Sequence, residues 1–240
     1  MSSLNKLILT SVVILGFGGA AVAADAMPIV DAPVYGVSQD WSGFYVGVMG
    51  GGGLLTANVP GEQAVYYGSY YGNIDASAFG GTVGVGVGAN IQTGSFVLGF
   101  DGDINWSSLS ADVNADTDHY NSSAKWDWFA TLRAKAGIAV DNALVYATAG
   151  VAAVNATYGS CFNPDCSPAD GIDYTSTQTV WGIAVGAGAE MMVSDNLSVK
   201  GEVLYIALPN SEFAVPYDTA YQAIFASNAV IARVGLNWSF

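Results

Sequence analysis

The C-terminal stretch Val230-Ile-Ala-Arg-Val-Gly-Leu-Asn-Trp-Ser-Phe240 decides the fold. Its even positions are all apolar, whereas its odd positions include Arg233, Asn237 and Ser239. An alternation with a period of two predicts a β-strand that has one apolar face and one more polar face. The stretch is therefore predicted to be an amphipathic strand that closes on an aromatic residue.

The N-terminal stretch predicts a secretory signal peptide over residues 1–23. An apolar run covers residues 7–20, and Ala21-Val-Ala23 supplies small residues of the kind that a signal peptidase recognises. A retained membrane anchor is the alternative, which the short run disfavours because a helix needs about 20 apolar residues to span a bilayer. Residues 24–40 predict a short periplasmic leader, and residues 41–240 predict a single β domain.

The composition is unusual for a soluble protein. Only 11% of the residues are charged, and the mean hydropathy is +0.38. Beyond the signal peptide, no apolar run is long enough to form a transmembrane helix. A transmembrane β-barrel reconciles these facts, because its outer face is apolar while each strand carries only half of the signal. A last strand that ends on an aromatic residue, Phe240, is typical of bacterial outer-membrane barrels, so we expect the Gram-negative outer membrane as the location.

Eight strands are predicted within the β domain, at about 42–53, 77–89, 95–107, 125–139, 143–155, 177–192, 197–207 and 228–240. Short turns near 90–94, 141–142 and 194–196 alternate with long connections near 55–76, 108–124, 156–176 and 208–227. This alternation is the pattern of outer-membrane barrels whose long loops face the outside of the cell. We therefore predict an all-β fold, an eight-stranded antiparallel up-and-down transmembrane barrel. A soluble β-sandwich is the alternative, but it does not explain the alternating turn lengths.

Aromatic residues occur where the two bilayer interfaces are expected. Such side chains favour an interface because one part is apolar and another stays hydrated. The predicted aromatic girdle consists of Trp41, Phe44, Trp106, Trp126, Trp238 and Phe240. Glycines instead share the inward faces of the second and sixth predicted strands, where they make room for large neighbours.

The alternation also predicts which charges point into the lumen. In the fourth predicted strand, Asp127, Arg133 and Lys135 share the inward face, and Trp126 lies on the lipid face. Four cations and five carboxylates are thereby predicted to form an inward network: Asp101, Asp103, Asp127, Arg133, Lys135, Glu190, Lys200, Glu202 and Arg233. Buried charges are tolerated when they are paired. A plug of salt bridges is favoured over a charged pore constriction, because eight strands close tightly.

Few residues outside the barrel wall suggest chemistry. Cys161 and Cys166 lie close together and predict a local disulfide, which is favoured over a metal pair. The acidic stretch 112–118 has the early spacing of a calcium loop but lacks the turn glycine and the final Glu, so no metal site is predicted. Solvated acidic loops are favoured over weak divalent binding. His119 has no evident nucleophile partner, so no catalytic residue and no cofactor are predicted.

Several strand motifs resemble those of one protein family: Trp41-Ser-Gly-Phe-Tyr-Val-Gly47, Gln92-Thr-Gly-Ser-Phe-Val-Leu-Gly-Phe-Asp-Gly-Asp103, Trp128-Phe-Ala-Thr-Leu-Arg-Ala-Lys-Ala-Gly137 and Gly186-Ala-Gly-Ala-Glu190. They are similar to the alphaproteobacterial outer-membrane immunogenic (surface antigen) proteins, which are grouped with opacity-like, porin-family small β-barrels. The family commonly has Glu where this chain has Asp101. The resemblance implies an eight-stranded barrel that is inserted through recognition of its C-terminal strand.

Three functions of different kinds follow as hypotheses. The first is a structural and surface-interaction role in the outer membrane, and the alternatives are a small porin-like diffusion channel or a surface protein that binds haem or another ligand. The expected partners are outer-membrane lipid, lipopolysaccharide and, through the C-terminal strand, the barrel-assembly machinery. The net charge of −14 excludes a basic nucleic-acid surface. An outer-membrane hydrolase is disfavoured for want of a catalytic constellation, and the oligomeric state is not predicted.

Overall fold

The computed structural model describes residues 39–59, 65–66, 69–70, 74–114, 121–161, 174–209, 211–214 and 222–240. These residues belong to one compact unit, Gly36–Phe240, and a second unit, Met1–Tyr35, lies outside the described residues. The predicted signal peptide is therefore not covered, and neither are His119 and Cys166. In the part of the chain that is described, no helix is long and apolar enough to cross a membrane.

The described residues form eleven strands: β1 Gly43–Val59, β2 Val65–Tyr66, β3 Ser69–Tyr70, β4 Ile74–Thr93, β5 Phe96–Asn114, β6 Asn121–Val140, β7 Ala143–Cys161, β8 Tyr174–Ser194, β9 Leu197–Ala207, β10 Ser211–Ala214 and β11 Gln222–Ser239. Eight of them pair in the order β1-β4-β5-β6-β7-β8-β9-β11. Every pairing is antiparallel, and β11 also pairs with β1, which closes the sheet. The predicted eight-stranded antiparallel barrel is confirmed.

Tight turns join three of the strand pairs at one end of the barrel. They lie at Gly94–Ser95, Asp141–Asn142 and Asp195–Asn196, as the sequence predicted. Gly94 (φ 61°) and Asp141 (φ 53°) adopt the left-handed conformation that such turns require. This end is called the turn end below, and the opposite end is called the loop end.

The strands extend further toward the loop end than the hydrophobic pattern predicted. For example, β1 continues to Val59, and β6 begins at Asn121. The backbone ladder continues there, and the side chains still alternate, but apolar residues such as Ala57 and Ala124 are buried while polar residues such as Thr56 and Lys125 lie on the outside. Because a search for an apolar outer face does not detect this inverted pattern, it underestimates strand length in this half of the barrel.

Alternating side chains build an apolar exterior and a filled interior. Along β9, every second residue from Ser198 to Ile206 is buried, and the residues between them are exposed. The exterior carries large apolar side chains such as Phe79, Phe100, Val151 and Trp181. The period-two pattern of the sequence thus becomes a barrel with a broad apolar band on its outer surface.

Two apolar clusters fill the ends of the lumen. The loop-end cluster includes Leu109, Trp126, Phe129, Leu204 and Ile231, and each of these side chains is fully buried. The turn-end cluster consists of Trp41, Val97, Ala139, Leu144, Tyr146 and Met192. The charged residues of the inner wall lie between these two clusters along the strands.

Candidate functional site in the barrel lumen

The inner wall carries equal numbers of buried cations and carboxylates. The cations are Arg133, Lys135, Lys200 and Arg233, and the carboxylates are Asp101, Asp103, Glu190 and Glu202. All eight residues are less than one-tenth exposed. Because burial of an uncompensated charge is very costly, this balance of formal charge is a condition for closing the barrel around them.

Two arginines and two carboxylates form a closed ring across the lumen. Arg133 contacts Asp103 (Nη2–Oδ2 2.9 Å) and Glu202 (Nη1–Oε1 2.6 Å). Arg233 contacts the same two carboxylates, at 3.0 Å from Asp103 Oδ2 and 2.7 Å from Glu202 Oε2. The four residues come from β5, β6, β9 and β11, so this charge ring connects walls that are distant in the sheet.

Neutral side chains complete the hydrogen bonds of the charge ring. Arg133 donates to Thr131 Oγ1 (3.0 Å) and Thr148 Oγ1 (2.8 Å). Thr131 in turn donates to Asp103 Oδ2 (2.8 Å), and Asn105 donates to Asp103 Oδ1 (2.5 Å). Charge-assisted hydrogen bonds of this kind are stronger than neutral ones, and they fix the orientation of each ion.

Lys135 occupies an aromatic sandwich on the turn-end side of the charge ring. Its Nζ lies 4.7 Å from the centre of the Tyr45 ring and 5.0 Å from that of Tyr146. It also donates to Tyr45 Oη (2.7 Å) and lies 3.0 Å from Asp101 Oδ1. The contact between Lys135 and Asp101 is short enough for an ion pair, but its angles are not those of a hydrogen bond. Neither carboxylate oxygen of Asp101 has a hydrogen-bond partner among the described residues. Cation–π contacts with two rings supply part of the stabilisation that water would give a free ammonium group.

Glu190 forms a further polar contact nearer the turn end. Its Oε1 accepts hydrogen bonds from Ser198 Oγ (2.5 Å) and Asn237 Nδ2 (2.6 Å). Lys200 is the direct cross-strand neighbour of Glu190 in the β8–β9 ladder, yet within the described ranges it forms no ion pair shorter than 4.0 Å. Toward the turn end, the polar lumen thus changes from the tightly paired charge ring to a layer around Glu190 and Lys200 that has fewer ion pairs.

The prediction that Asp127 joins the lumen network was wrong. The β6–β7 pairing shifts register between Trp126 and Trp128, so β6 carries one extra residue there. A bulge of this kind reverses the side-chain parity beyond it. Asp127 instead pairs with the half-exposed Lys125 (Nζ–Oδ1 2.6 Å) and accepts a hydrogen bond from Thr157 (2.9 Å). Its departure leaves the lumen with four carboxylates rather than five.

The same bulge corrects the aromatic girdle. Trp126, which was expected at the lipid interface, is 0% exposed and packs in the loop-end cluster. Trp106, whose neighbour across the β5–β6 ladder is Trp128, points outward and is 56% exposed. On the turn-end side of the bulge, the alternation in the sequence correctly predicts which side chains face outward. On its loop-end side, the same alternation predicts the wrong face.

Trp41 also departs from the predicted girdle. It precedes β1, its backbone N–H donates to Gln92 Oε1 (2.8 Å), and its ring packs in the turn-end cluster. Beside it, Asp40 accepts a hydrogen bond from the Ser42 N–H (2.9 Å), which lowers the pKa of its carboxyl below the usual value. The remaining predicted girdle residues all point outward and are more than half exposed: Phe44, Trp106, Trp238 and Phe240.

Other predictions concern residues that the structure does not describe in full. Cys161 ends β7, and Cys166 lies outside the described residues, so their predicted disulfide stays a prediction. Within the described ranges, no group of three or more His, Cys, Asp and Glu side chains is placed to hold a metal ion.

Sequence reasoning missed two features of the lumen. One is the set of neutral partners, namely Tyr45, Tyr146, Thr148, Ser198 and Asn237, which the inward parity of each strand would have identified. The other is the loop-end cluster, whose apolar members face inward while polar residues such as Ser108, Lys125 and Thr157 alternate with them on the outside. There, the polarity is the inverse of that in the charged part of the barrel, so a search for an apolar outer face does not find these strands.

Comparison with known proteins agrees with this architecture. Residues 10–240 match the family described as an outer membrane protein beta-barrel domain. The 31 kDa outer-membrane immunogenic protein of Brucella melitensis is 31% identical over 249 residues, covering 99% of this chain and 100% of the relative. The 22 kDa outer membrane protein of Rhizobium leguminosarum bv. viciae is 27% identical over 208 residues, covering 87% of this chain and 82% of the relative.

A solved structure shows the same kind of fold. The outer membrane protease OmpT from Escherichia coli superposes with a TM-score of 0.51 at 10% sequence identity. The superposition covers 82% of this chain and 97% of that chain. At so low an identity, the likeness concerns the fold alone.

Proposed function

The chain belongs to the family of outer-membrane β-barrel proteins, and from this membership we propose that it is a structural and surface-interaction protein whose lumen is a sealed, charge-filled plug. It is an integral protein of the outer membrane, related to outer-membrane immunogenic proteins. In known barrels of this kind, short turns face the periplasm and long loops face the outside. On that orientation, the turn end is periplasmic and the loop end is extracellular.

One observation carries the plug proposal: the charged layer is attached between two apolar clusters of buried side chains. An ion that crossed the barrel would have to leave water at the turn-end cluster and again at the loop-end cluster. It would also have to break the charge ring, in which Arg133 and Arg233 share Asp103 and Glu202. Both steps oppose conduction, because dehydrating an ion and separating a buried ion pair each cost on the order of several kcal/mol.

Single-channel recording in planar bilayers tests the plug. The purified, refolded protein is expected to leave the bilayer silent, with a known porin reconstituted in parallel as the positive control. Stepwise openings would contradict the plug and favour the alternative, a small diffusion channel. If such openings change in size or selectivity in an Asp103→Asn variant, the conducting path runs through the lumen.

The surface role is supported by the strands themselves. Several of them extend well past the residues that the hydrophobic pattern predicted, which carries the connecting segments away from the membrane on the loop side. An epitope tag inserted in the segment 162–173 is expected to bind antibody on intact cells. The same tag inserted between Asp141 and Asn142 is expected to bind only after permeabilisation. The reverse result would overturn the orientation on which the surface role depends.

We further propose that the protein is not an enzyme and that its partners are membrane components. Six of the eight buried lumen charges are paired with one another, and no triad of nucleophile, base and orienting acid occurs among the described residues. Outer-membrane lipid and lipopolysaccharide are the proposed partners of the apolar exterior, and the barrel-assembly machinery is the proposed partner of β11. Incubation of the purified protein with phospholipid, lipopolysaccharide and peptide substrates is expected to yield no hydrolysis product.

A further inference from the structure

The chain crosses the turn end of the barrel before it enters the first strand. Residues 39–42 precede β1, which begins at Gly43. The Gln39 N–H donates to the carbonyl oxygen of Asp141 (3.2 Å), in the turn between β6 and β7. In the closed strand order, this turn lies on the far side of the barrel from β1. Residues 39–42, called the strap below, therefore span the mouth of the barrel from one wall to the other.

Gly43 lets the backbone turn from the wall into the strap. Its φ of 128° lies in a region that L side chains rarely adopt, and an added Cβ would lie 2.9 Å from the Phe240 carbonyl oxygen. Beyond this point, single hydrogen bonds attach the strap. The Trp41 N–H donates to Gln92 Oε1 (2.8 Å), and the Gln92 N–H donates to Ser42 Oγ (3.0 Å). The strap is thus attached by individual bonds, whereas each strand of the wall is held by two ladders.

The side chain of Trp41 closes the mouth. It is 5% exposed and packs in the turn-end cluster against side chains that come from β5, β6, β7 and β8. Its indole Nε1 is buried and has no hydrogen-bond partner among the described residues. A buried indole N–H usually finds a partner. The closed position therefore combines favourable apolar packing with one unsatisfied donor.

A polar layer lies directly inside this cluster, and it is incompletely paired. Leu144 of the cluster is the cross-strand neighbour of Glu190, and the ring of Tyr146 lies 5.0 Å from Lys135 Nζ. Within the described ranges, Glu190 Oε2, Tyr146 Oη and both carboxylate oxygens of Asp101 are buried without a hydrogen-bond partner.

These groups, with Lys200, are called the lower layer below: Asp101, Lys135, Tyr146, Glu190 and Lys200. Lys200 forms no ion pair in the described part of the chain. Buried polar groups are ordinarily hydrogen-bonded to protein or to water. The lower layer is therefore a place where water would be bound favourably, in contrast to the fully paired charge ring above it.

We propose that the strap is a lid, hinged at Gly43, that admits periplasmic water and small polar solutes to the lower layer. When the strap swings outward, the Trp41 N–H gains a partner in water, and water reaches the unsatisfied oxygens of Asp101 and Glu190. The charge ring and the loop-end cluster stay closed beyond the lower layer. The lower layer is therefore a chamber that opens toward the turn end alone. This inference takes the word periplasmic from the proposed orientation, and it does not depend on whether the lumen conducts.

Lysine labelling provides the test, because the chain after residue 23 has three lysines: Lys125, Lys135 and Lys200. The purified, refolded protein is exposed briefly to formaldehyde and cyanoborohydride, and dimethylation of each lysine is quantified by mass spectrometry. Lys125, whose side chain is 51% exposed, serves as the internal reference. In the unmodified protein, Lys135 and Lys200 are expected to react at least tenfold more slowly than Lys125.

Three variants separate the lid from general loosening of the barrel. Trp41→Ala removes the lid and is expected to raise the labelling of Lys200, relative to Lys125, about tenfold. Gln92→Ala keeps the indole but removes the acceptor of the Trp41 N–H, so a smaller rise of several-fold is expected. Trp238→Ala removes an indole at the same end that is 51% exposed on the outer face, and it is expected to leave the ratio unchanged.

Folding of each variant is verified by its heat-dependent mobility in gels, and Gln92→Ala alone decides if Trp41→Ala does not fold. Unchanged labelling of Lys200 in the folded lid variants would show that the strap is not the barrier. A rise in Trp41→Ala without any rise in Gln92→Ala would show a fixed stopper rather than a lid. An equal rise in Trp238→Ala would show that the whole barrel loosens. Each of these results would overturn the proposal, and none of them bears on conductance, which tests the plug separately.

Discussion

Arg133 of β6 and Glu202 of β9 are separated by β7 and β8 in the sheet, yet their Nη1 and Oε1 atoms lie 2.6 Å apart across the lumen. Both side chains are 0% exposed. The pair therefore links opposite walls of the barrel through its centre, and it does so together with Asp103 and Arg233, which complete the ring.

Removal of one member of the charge ring is expected to be strongly destabilising. Arg133→Met retains apolar bulk but leaves Asp103 and Glu202 with one cation instead of two, and we expect a loss of about 3–5 kcal/mol in the free energy of unfolding. Urea unfolding in detergent micelles, followed by tryptophan fluorescence, measures it. The control is Lys125→Met, which removes a partly exposed pair with Asp127 and should cost less than about 1 kcal/mol. Similar losses in the two variants would show that the ring does not stabilise the barrel.

The inward position of Trp126 is testable by fluorescence quenching. In variants that retain a single tryptophan, lipids brominated on their acyl chains are expected to quench Trp106 strongly, because it is 56% exposed on the outer face. Trp126, which is 0% exposed in the loop-end cluster, is expected to be quenched several-fold less. Equal quenching of the two would mean that β6 has no bulge in the membrane-inserted protein.

These two residues also show how far sequence alternation reaches. Below the bulge, the period-two pattern correctly separates lipid-facing residues such as Leu132 from lumen-facing residues such as Arg133. Above it, the pattern fails because Trp126 and Trp128 are both large and apolar, so the extra residue between them leaves no mark in the hydrophobic pattern.

Trp41 illustrates a different limit. An aromatic residue at the predicted start of a strand suits a bilayer interface and a buried end plug equally well. The choice depends on partners distant in the sequence, since Leu144 and Met192 share its cluster. The alternation also could not predict which charges pair with each other. It correctly placed both Lys200 and Arg233 in the lumen, but only the three-dimensional structure shows that Arg233 forms ion pairs, with Asp103 and Glu202, whereas Lys200 forms none among the described residues.

The inward glycines are expected to be far less tolerant than the outward ones. At Gly188, an added Cβ would lie 2.6 Å from Tyr146 Oη and 2.5 Å from the Gly201 carbonyl oxygen. Gly188→Ala is therefore expected to cost about 1–3 kcal/mol, the range for overpacking, and to disturb the ring that covers Lys135. Gly201→Ala, whose Cβ meets nothing within 4 Å, should change stability by less than about 0.5 kcal/mol. Thermal unfolding in one detergent compares them, and equal shifts would contradict close packing at Gly188.

Tyr45 allows the two contacts of Lys135 to be separated. Tyr45→Phe removes the 2.7 Å hydrogen bond but retains the ring, and it is expected to cost roughly 1.5–3 kcal/mol, as for a hydrogen bond to a charged group. Tyr45→Leu removes the ring as well and should cost measurably more, because the cation–π contact at 4.7 Å is also lost. Equal losses in urea unfolding would indicate that the ring contributes nothing beyond its hydroxyl.

Simultaneous replacement of both partners distinguishes a plug from a pore constriction. In the double variant Arg133→Met/Glu202→Leu, Asp103 and Arg233 retain each other, so the lumen stays neutral. The loss of stability is expected to be smaller than the sum of the single losses, with a coupling of about 0.5–3 kcal/mol, because no ion is left uncompensated. If the charges serve only to fill and connect the barrel, the double variant also stays silent in planar bilayers. Conductance that appears in the double variant but not in Lys125→Met would instead show that the ring is the barrier to ions, and that the apolar clusters alone do not seal the lumen.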